Sequence, residues 1–183
     1  MIRRLLPALL LALVTVTARA VPIYRAQFVE TRTPAGARRS LVLHGHLRFV
    51  PGHRLLWAID RPYQYRLEIQ DRTIHQTFPG GQTQTSSLAK APWAEVLFKL
   101  FTALLGGNPS ALERFFQTSR TSAGLVLVPR SATLALSVRR IIVSTRLPPR
   151  WILIEEAGGS RTRLEFTAAT PAPPAGSASS RNR

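Results

Sequence analysis

His44 and His46 stand two residues apart in Leu41–Phe49, where large apolar residues alternate, so on a strand both imidazoles leave from one face. Two imidazoles at that spacing can begin a metal site. Neither a neighbouring carboxylate in the sequence nor a cysteine completes it, and the chain has no cysteine at all. Acids are scarce: the aspartates are Asp60 and Asp71, the latter in a turn. Glu155 and Glu156 are adjacent on a strand, so they point to opposite faces and cannot act as an acid/base pair on one substrate. No G-x-S-x-G, H-E-x-x-H, phosphate-binding loop or dinucleotide fingerprint occurs, and Gly80-Gly81 and Gly158-Gly159 read as hairpin glycines. The expectation is a chain with no catalytic residue, no cofactor and no metal.

The elements that would carry these residues are mostly strands. Tyr63, Tyr65, Leu67 and Ile69 alternate with Gln64, Arg66, Glu68 and Gln70, the signature of a half-buried strand. Leu41, Leu43, Leu47 and Phe49 do the same, with Gly45 in the row as the place for a bulge or bend. Pro51-Gly52 turns the chain into Leu55, Trp57 and Ile59. Ile74–Phe78 and Gln82–Ser87 form a hairpin through Pro79-Gly80-Gly81, and an earlier strand begins near Tyr24. Further strands are expected at Leu125–Val128, Thr133–Ser144, Trp151–Glu155 and Arg161–Thr167. Many short strands with few helices predict a mainly β fold: a single, strongly curved antiparallel sheet.

Helical spacing is confined to the middle. Trp93, Val96, Leu97, Leu100, Phe101, Leu104 and Leu105 fall on one stripe, which Gly106-Gly107 ends. Asn108 and Pro109 open a second predicted helix, Ser110–Gln117, carrying Leu112, Phe115 and Phe116. A pair of helices so rich in Leu and Phe must lie across the sheet, because only burial hides the stripe from water. It is either ordinary core or a lid over a cavity in the concave face, and spacing alone does not choose between them.

The ends and the charge bound the rest. Arg3 and Arg4, the apolar run Leu5–Val16 and Ala18-Arg19-Ala20 match a secretory signal peptide cleaved after Ala20. The alternative is an uncleaved anchor, but the run is shorter than the ~20 residues of a spanning helix and contains Pro7. Residues 21–167 then make one domain. Residues 168–183, almost entirely Ala, Pro, Ser and Arg, read as a disordered tail. The formal net charge is +16, and the first twenty residues hold three arginines and no acid, leaving +13. The basic residues are scattered, with Arg38-Arg39 and Arg139-Arg140 the only pairs after the signal. For an exported chain this points to anionic lipid head groups or an acidic partner face rather than nucleic acid, with a merely solvated basic surface as the plainer reading. No stable membrane insertion is expected, since no later segment is long and apolar enough to cross a bilayer.

Several stretches, taken in order, resemble the outer-membrane lipoprotein carrier family (LolA-like proteins). They are Phe28-Val29-Glu30, Gly45 to Pro51, Arg54 to Pro62, Leu104 to Asn108, Leu112 to Phe116, Leu125 to Pro129 and Ile141-Ile142-Val143, and the later ones are similar to a divergent branch of it. The resemblance implies an incomplete β-barrel whose open concave side is covered by short helices, with lipoprotein acyl chains held between. It also implies an ABC-type exporter in the inner membrane as donor and an outer-membrane acceptor. Two departures imply a more open cavity. Carriers often have Arg-Pro where this chain has Val50-Pro51, so that the lid latch falls to Arg54, and the family's N-terminal helix is missing ahead of the strand near Tyr24.

Burial of one acyl chain is worth on the order of 10 kcal/mol at ~0.8 kcal/mol per methylene, so an apolar groove needs no directional chemistry to hold it. The expected lining is Phe49, Trp57, Leu67, Leu97, Phe101, Leu104 and Phe115. Two other readings stand beside the carrier. One is a periplasmic sensor or adaptor that binds a protein partner on the same half-barrel. The other is a factor processing glycolipids or polyketide lipids, against which the shortage of carboxylates argues.

Overall fold

The computed structural model describes residues 23–167 and 170–172. The signal peptide expected over residues 1–20 lies outside them, as does most of the expected tail.

Chain order nearly dictates the sheet. Six strands follow one another as a meander: β1 (Ile23–Thr33), β2 (Leu41–Val50), β3 (Arg54–Arg61), β4 (Tyr65–Gln70), β5 (Thr73–Thr77) and β6 (Thr83–Ser87). A second meander comprises β7 (Phe116–Thr121), β8 (Gly124–Pro129), β9 (Val138–Val143), β10 (Trp151–Glu156) and β11 (Arg161–Phe166). β11 returns to pair with β1, which gives one antiparallel sheet in the order β6-β5-β4-β3-β2-β1-β11-β10-β9-β8-β7. Its two edges, β6 and β7, stay apart, so the sheet is curved but not closed. The predicted fold class is the observed one.

Between those edges runs the only long helical segment among the described residues. A 3-10 turn at Leu88–Lys90 leads into α1 (Pro92–Leu105), and a second 3-10 turn at Pro109–Arg114 leads out of it to β7. The chain therefore crosses from one free edge of the sheet to the other. Ala94, Leu100, Phe101, Ala103, Leu104 and Leu105 are buried on the way. Among the described residues the backbone hydrogen bonds of α1 remain within the helix and its caps, so its hold on the sheet is through side chains.

Three expectations change. Ser110–Gln117 is not a second α-helix: the 3-10 turn ends at Arg114, and Phe116–Thr121 is β7, paired with β8 from Phe116↔Pro129 to Thr121↔Gly124. The ladder, together with the β-branched Thr118 and Thr121, outweighs a short local helix preference. The strand expected over Thr133–Ser144 is split, because Ala132–Ala135 forms the single turn α2 before β9 begins at Val138. Its Leu134, Leu136, Val138 alternation looks like a strand, but Ala132, Leu134 and Ala135 are good helix formers following Ser131 at the N-cap position. Finally, Thr170–Ala172, within the stretch read as tail, forms β12 on Ile23–Arg25. Those three β1 residues extend past the end of β11, which leaves a backbone edge for a returning strand to pair with.

Gly45 does mark a bulge, for the β2–β3 register shifts between His44 and Gly45. It also permits a close approach that no side chain would allow. A Cβ at this position would lie 2.1 Å from the Ala58 carbonyl oxygen and 2.6 Å from Cζ of Phe28. The Phe28 ring uses that space to stack on Trp57, centroid to centroid at 4.1 Å.

Candidate functional site

Strand alternation places one set of residues on the concave face, where cross-strand neighbours form rows. Leu47↔Trp57↔Leu67 make one row, and Phe49↔Leu55↔Ile69↔Ile74 another. All of these side chains are buried. From above, α1 lowers Phe101 into them. The ring lies 6.0 Å from those of Phe49 and Trp57 and 6.2 Å from Phe166 of β11. Phe98 adds an edge contact to Phe49 at 5.9 Å. Such spacings are those of touching aromatic pairs.

Of the expected lining, Phe49, Trp57, Leu67, Phe101 and Leu104 come together in this buried cluster, while Leu97 and Phe115 are half-buried against it. Lys99 ties the cover together, pairing with Glu95 at 2.7 Å and lying 4.3 Å above the Phe115 ring. Phe28 and Phe166, partners across β1 and β11, belong to the same aromatic cluster and were not among the expected residues. Alternation with Ala26 could have pointed to Phe28, whereas Phe166 depends on the long-range pairing of β11 with β1. Arg54 is not where a lid latch would need to be. It starts β3 with opposite parity to Leu55 and Trp57, and its guanidinium pairs with Glu68 of β4, so it joins two strands of the sheet. In this arrangement protein side chains occupy the space between α1, β2, β3 and β11.

The remaining polar groups are distributed elsewhere. His44 and His46 do share the outward face, and the β3 side of the bulge brings Asp60 to His46, Oδ2 to Nδ1 at 3.0 Å. The sequence had shown no carboxylate near them. Among the described residues no three His, Cys, Asp or Glu side chains gather. An open pocket of about 600 Å³ lies beside the β4–β5 turn, lined by Asp71, Arg72, Thr73, Thr85, Ser86, Ser87 and Lys90, none of them in the apolar cluster. On the concave face, Glu30 is buried beside Phe28 and accepts a hydrogen bond from Nε of Arg32.

Glu155 and Glu156 do not work together. Glu155 receives Arg140 in a two-pronged contact, Nε to Oε2 at 2.7 Å and Nη2 to Oε1 at 3.0 Å, while Glu156 is exposed. The Arg140 hydrogen bonds hold the Glu155 carboxyl below its ordinary pKa, against the opposing pull of desolvation. A carboxylate with a depressed folded-state pKa contributes stability above its unfolded value, and that contribution disappears as pH falls through the folded value. Unfolding midpoints measured at pH 6 and pH 3 should therefore fall on acidification, and by less in Arg140→Ala than in the wild type. An equal fall in both proteins would remove the pair from that account.

The family model described as "Outer membrane lipoprotein carrier protein LolA-like" matches residues 11–160. The chain belongs to this family. The LolA-like match runs from before β1 to the β10–β11 turn and so includes the first meander, the helical crossing and β7 to β10 of the second. Among solved structures, a LolA superfamily protein from Nitrosomonas europaea is similar at 10% identity and a TM-score of 0.47, covering 82% of this chain and 86% of that one. No curated protein matches the chain. Among the described residues of this LolA-like chain, no helix is long and apolar enough to cross a membrane.

Proposed function

We propose that this chain is a periplasmic carrier that takes the acyl chains of lipoproteins, or of related lipids, onto its concave face and delivers them toward the outer membrane. The observation that carries the reading is the crossing itself: in a chain of the LolA-like carrier family, α1 covers an apolar concave surface with side-chain contacts only. A cover held that way opens at lower cost than a strand can leave the ladder. The packed arrangement is then the unloaded state, and cargo displaces Phe101, Leu104 and Leu97 from Phe49, Trp57 and Leu67. The family supports an inner-membrane ABC-type exporter as donor and an outer-membrane acceptor as recipient. No step calls for a nucleophile, metal or cofactor.

The same packing favours a second reading, in which the half-barrel is an adaptor that never opens and binds a protein partner instead. Lipid extraction and mass spectrometry of the protein purified from the periplasm separate the two. The carrier should retain acyl chains in a stoichiometric complex. A stable protein complex free of lipid would establish the adaptor and end the carrier reading.

A further inference from the structure

Among the described residues, six large apolar side chains are exposed: Leu41, Val42, Phe78, Val128, Leu136 and Leu147. The topology sorts them by position. In an antiparallel meander alternate connections share an end, so the β1–β2, β3–β4, β5–β6, β8–β9 and β10–β11 connections lie along one rim of the sheet. Leu41, Val42, Phe78, Val128 and Leu136 all lie at or beside that rim, and only Leu147, between β9 and β10, is at the other. Leu136 is the extreme case at 80% exposed.

Three of the connections on this rim are joined. The Ala35 N–H donates to Ser160 Oγ at 3.2 Å, and the Ala157 N–H donates to the Ser137 carbonyl at 3.0 Å. The β1–β2 loop, the β10–β11 turn and the segment following α2, which carries Leu136, therefore form one continuous sector of the rim. Into it the fold gathers Arg38, Arg39, Arg139 and Arg161, all exposed and none ion-paired among the described residues. Of the acids nearby, Glu155 is matched by Arg140, which leaves Glu156 as the exposed carboxylate. The sector is net positive with an apolar point projecting from it.

Isolated exposed leucines are common on soluble proteins, but one projecting amid unpaired guanidiniums has the composition of an interfacial contact. A bilayer surface also demands no shape complementarity, which suits a rim assembled from three separate loops better than a protein partner would. We propose that this rim docks peripherally on an anionic phospholipid surface. Leu136 enters the boundary between head groups and acyl chains, and Arg38, Arg39, Arg139 and Arg161 meet the phosphates. The docking is independent of whether the concave face accepts lipid.

Flotation with phosphatidylcholine vesicles, with and without phosphatidylglycerol, tests it on the periplasmically purified chain. Binding should require phosphatidylglycerol and weaken with salt. It should fall about tenfold in Leu136→Asp and roughly fivefold for each of Arg38→Ala and Arg39→Ala. Leu147→Asp, the same change at an exposed leucine of the opposite end, should bind as the wild type does. All four side chains are exposed, so circular dichroism should show an unchanged fold. Failure to bind anionic vesicles, equal binding to neutral ones, or an equal loss in Leu147→Asp would overturn the proposal. So would capture of an acidic soluble protein by a rim that ignores vesicles.

Discussion

Replacing Phe101 with aspartate is expected to abolish acyl-chain binding while leaving the β-sheet folded. The ring is 1% exposed and touches Phe49, Trp57 and Phe166, so a carboxylate there has no partner to offset its lost hydration. An unpaired buried charge costs several kcal/mol, a large part of the 5–15 kcal/mol that stabilises a typical domain. The cheapest escape is local. Among the described residues α1 has no backbone hydrogen bond to any strand, so it can lift away while the ladder from β6 to β7 remains. With one wall gone, the groove loses the apolar surface that α1 supplies. Titration with a fluorescent fatty acid should show binding lost, and far-ultraviolet circular dichroism should keep its β signature. Leu97→Asp, at a half-buried position on the same helix, should give the same pattern with less strain on the fold. Loss of the β signature in both variants would make the stripe a structural core and defeat the lid.

The second large effect is expected at Gly45. Valine there would bring Cβ to 2.1 Å from the Ala58 carbonyl oxygen, a backbone atom that cannot rotate away, and to 2.6 Å from the Phe28 ring. The β2–β3 pair must separate or the bulge must be lost, and either outcome breaks the Phe28–Trp57 stack. Gly45→Val should destabilise the protein by about 3 kcal/mol or more, read from the urea midpoint. Gly158→Ala serves as the comparison, since its added Cβ meets nothing within 4 Å, and it should change stability by less than about 0.5 kcal/mol. A Gly45→Val protein as stable as the wild type would show that the sheet can relax around the bulge.

Where local pattern and tertiary demand agree, the residues were legible. Tyr65, Leu67 and Ile69 alternate because one face of β4 meets the core, and period two records that directly. The α1 stripe was legible for the same reason at period 3.6: Leu100, Phe101, Leu104 and Leu105 are buried together. Misreadings came where local preference is weak and a distant partner decides. Phe116 sits next to a short turn that favours helix, yet its strand exists because Pro129 and Val128 run beside it. Ala132–Ala135 failed in the opposite sense, with an accidental alternation over residues that no ladder recruits. Arg54 was expected to reach the helices from its position beside Pro51, but strand parity points it the other way, to Glu68.

By itself the sequence determined the class of the molecule: an antiparallel β protein with one greasy helical interruption, short of acids, lacking cysteine and strongly basic. Those properties are carried by composition and by periods of two and 3.6, which depend on neighbours a few residues away. Only the tertiary structure decided that β11 closes back on β1, that the helical segment bridges two free edges, and that its aromatic side chains lie packed against the sheet. It alone gathered Arg38, Arg39, Arg139 and Arg161 onto the rim that carries Leu136. Each of these depends on contacts between residues as much as a hundred or more positions apart, whose pairing is set by the burial of the whole sheet and leaves no periodic trace along the chain.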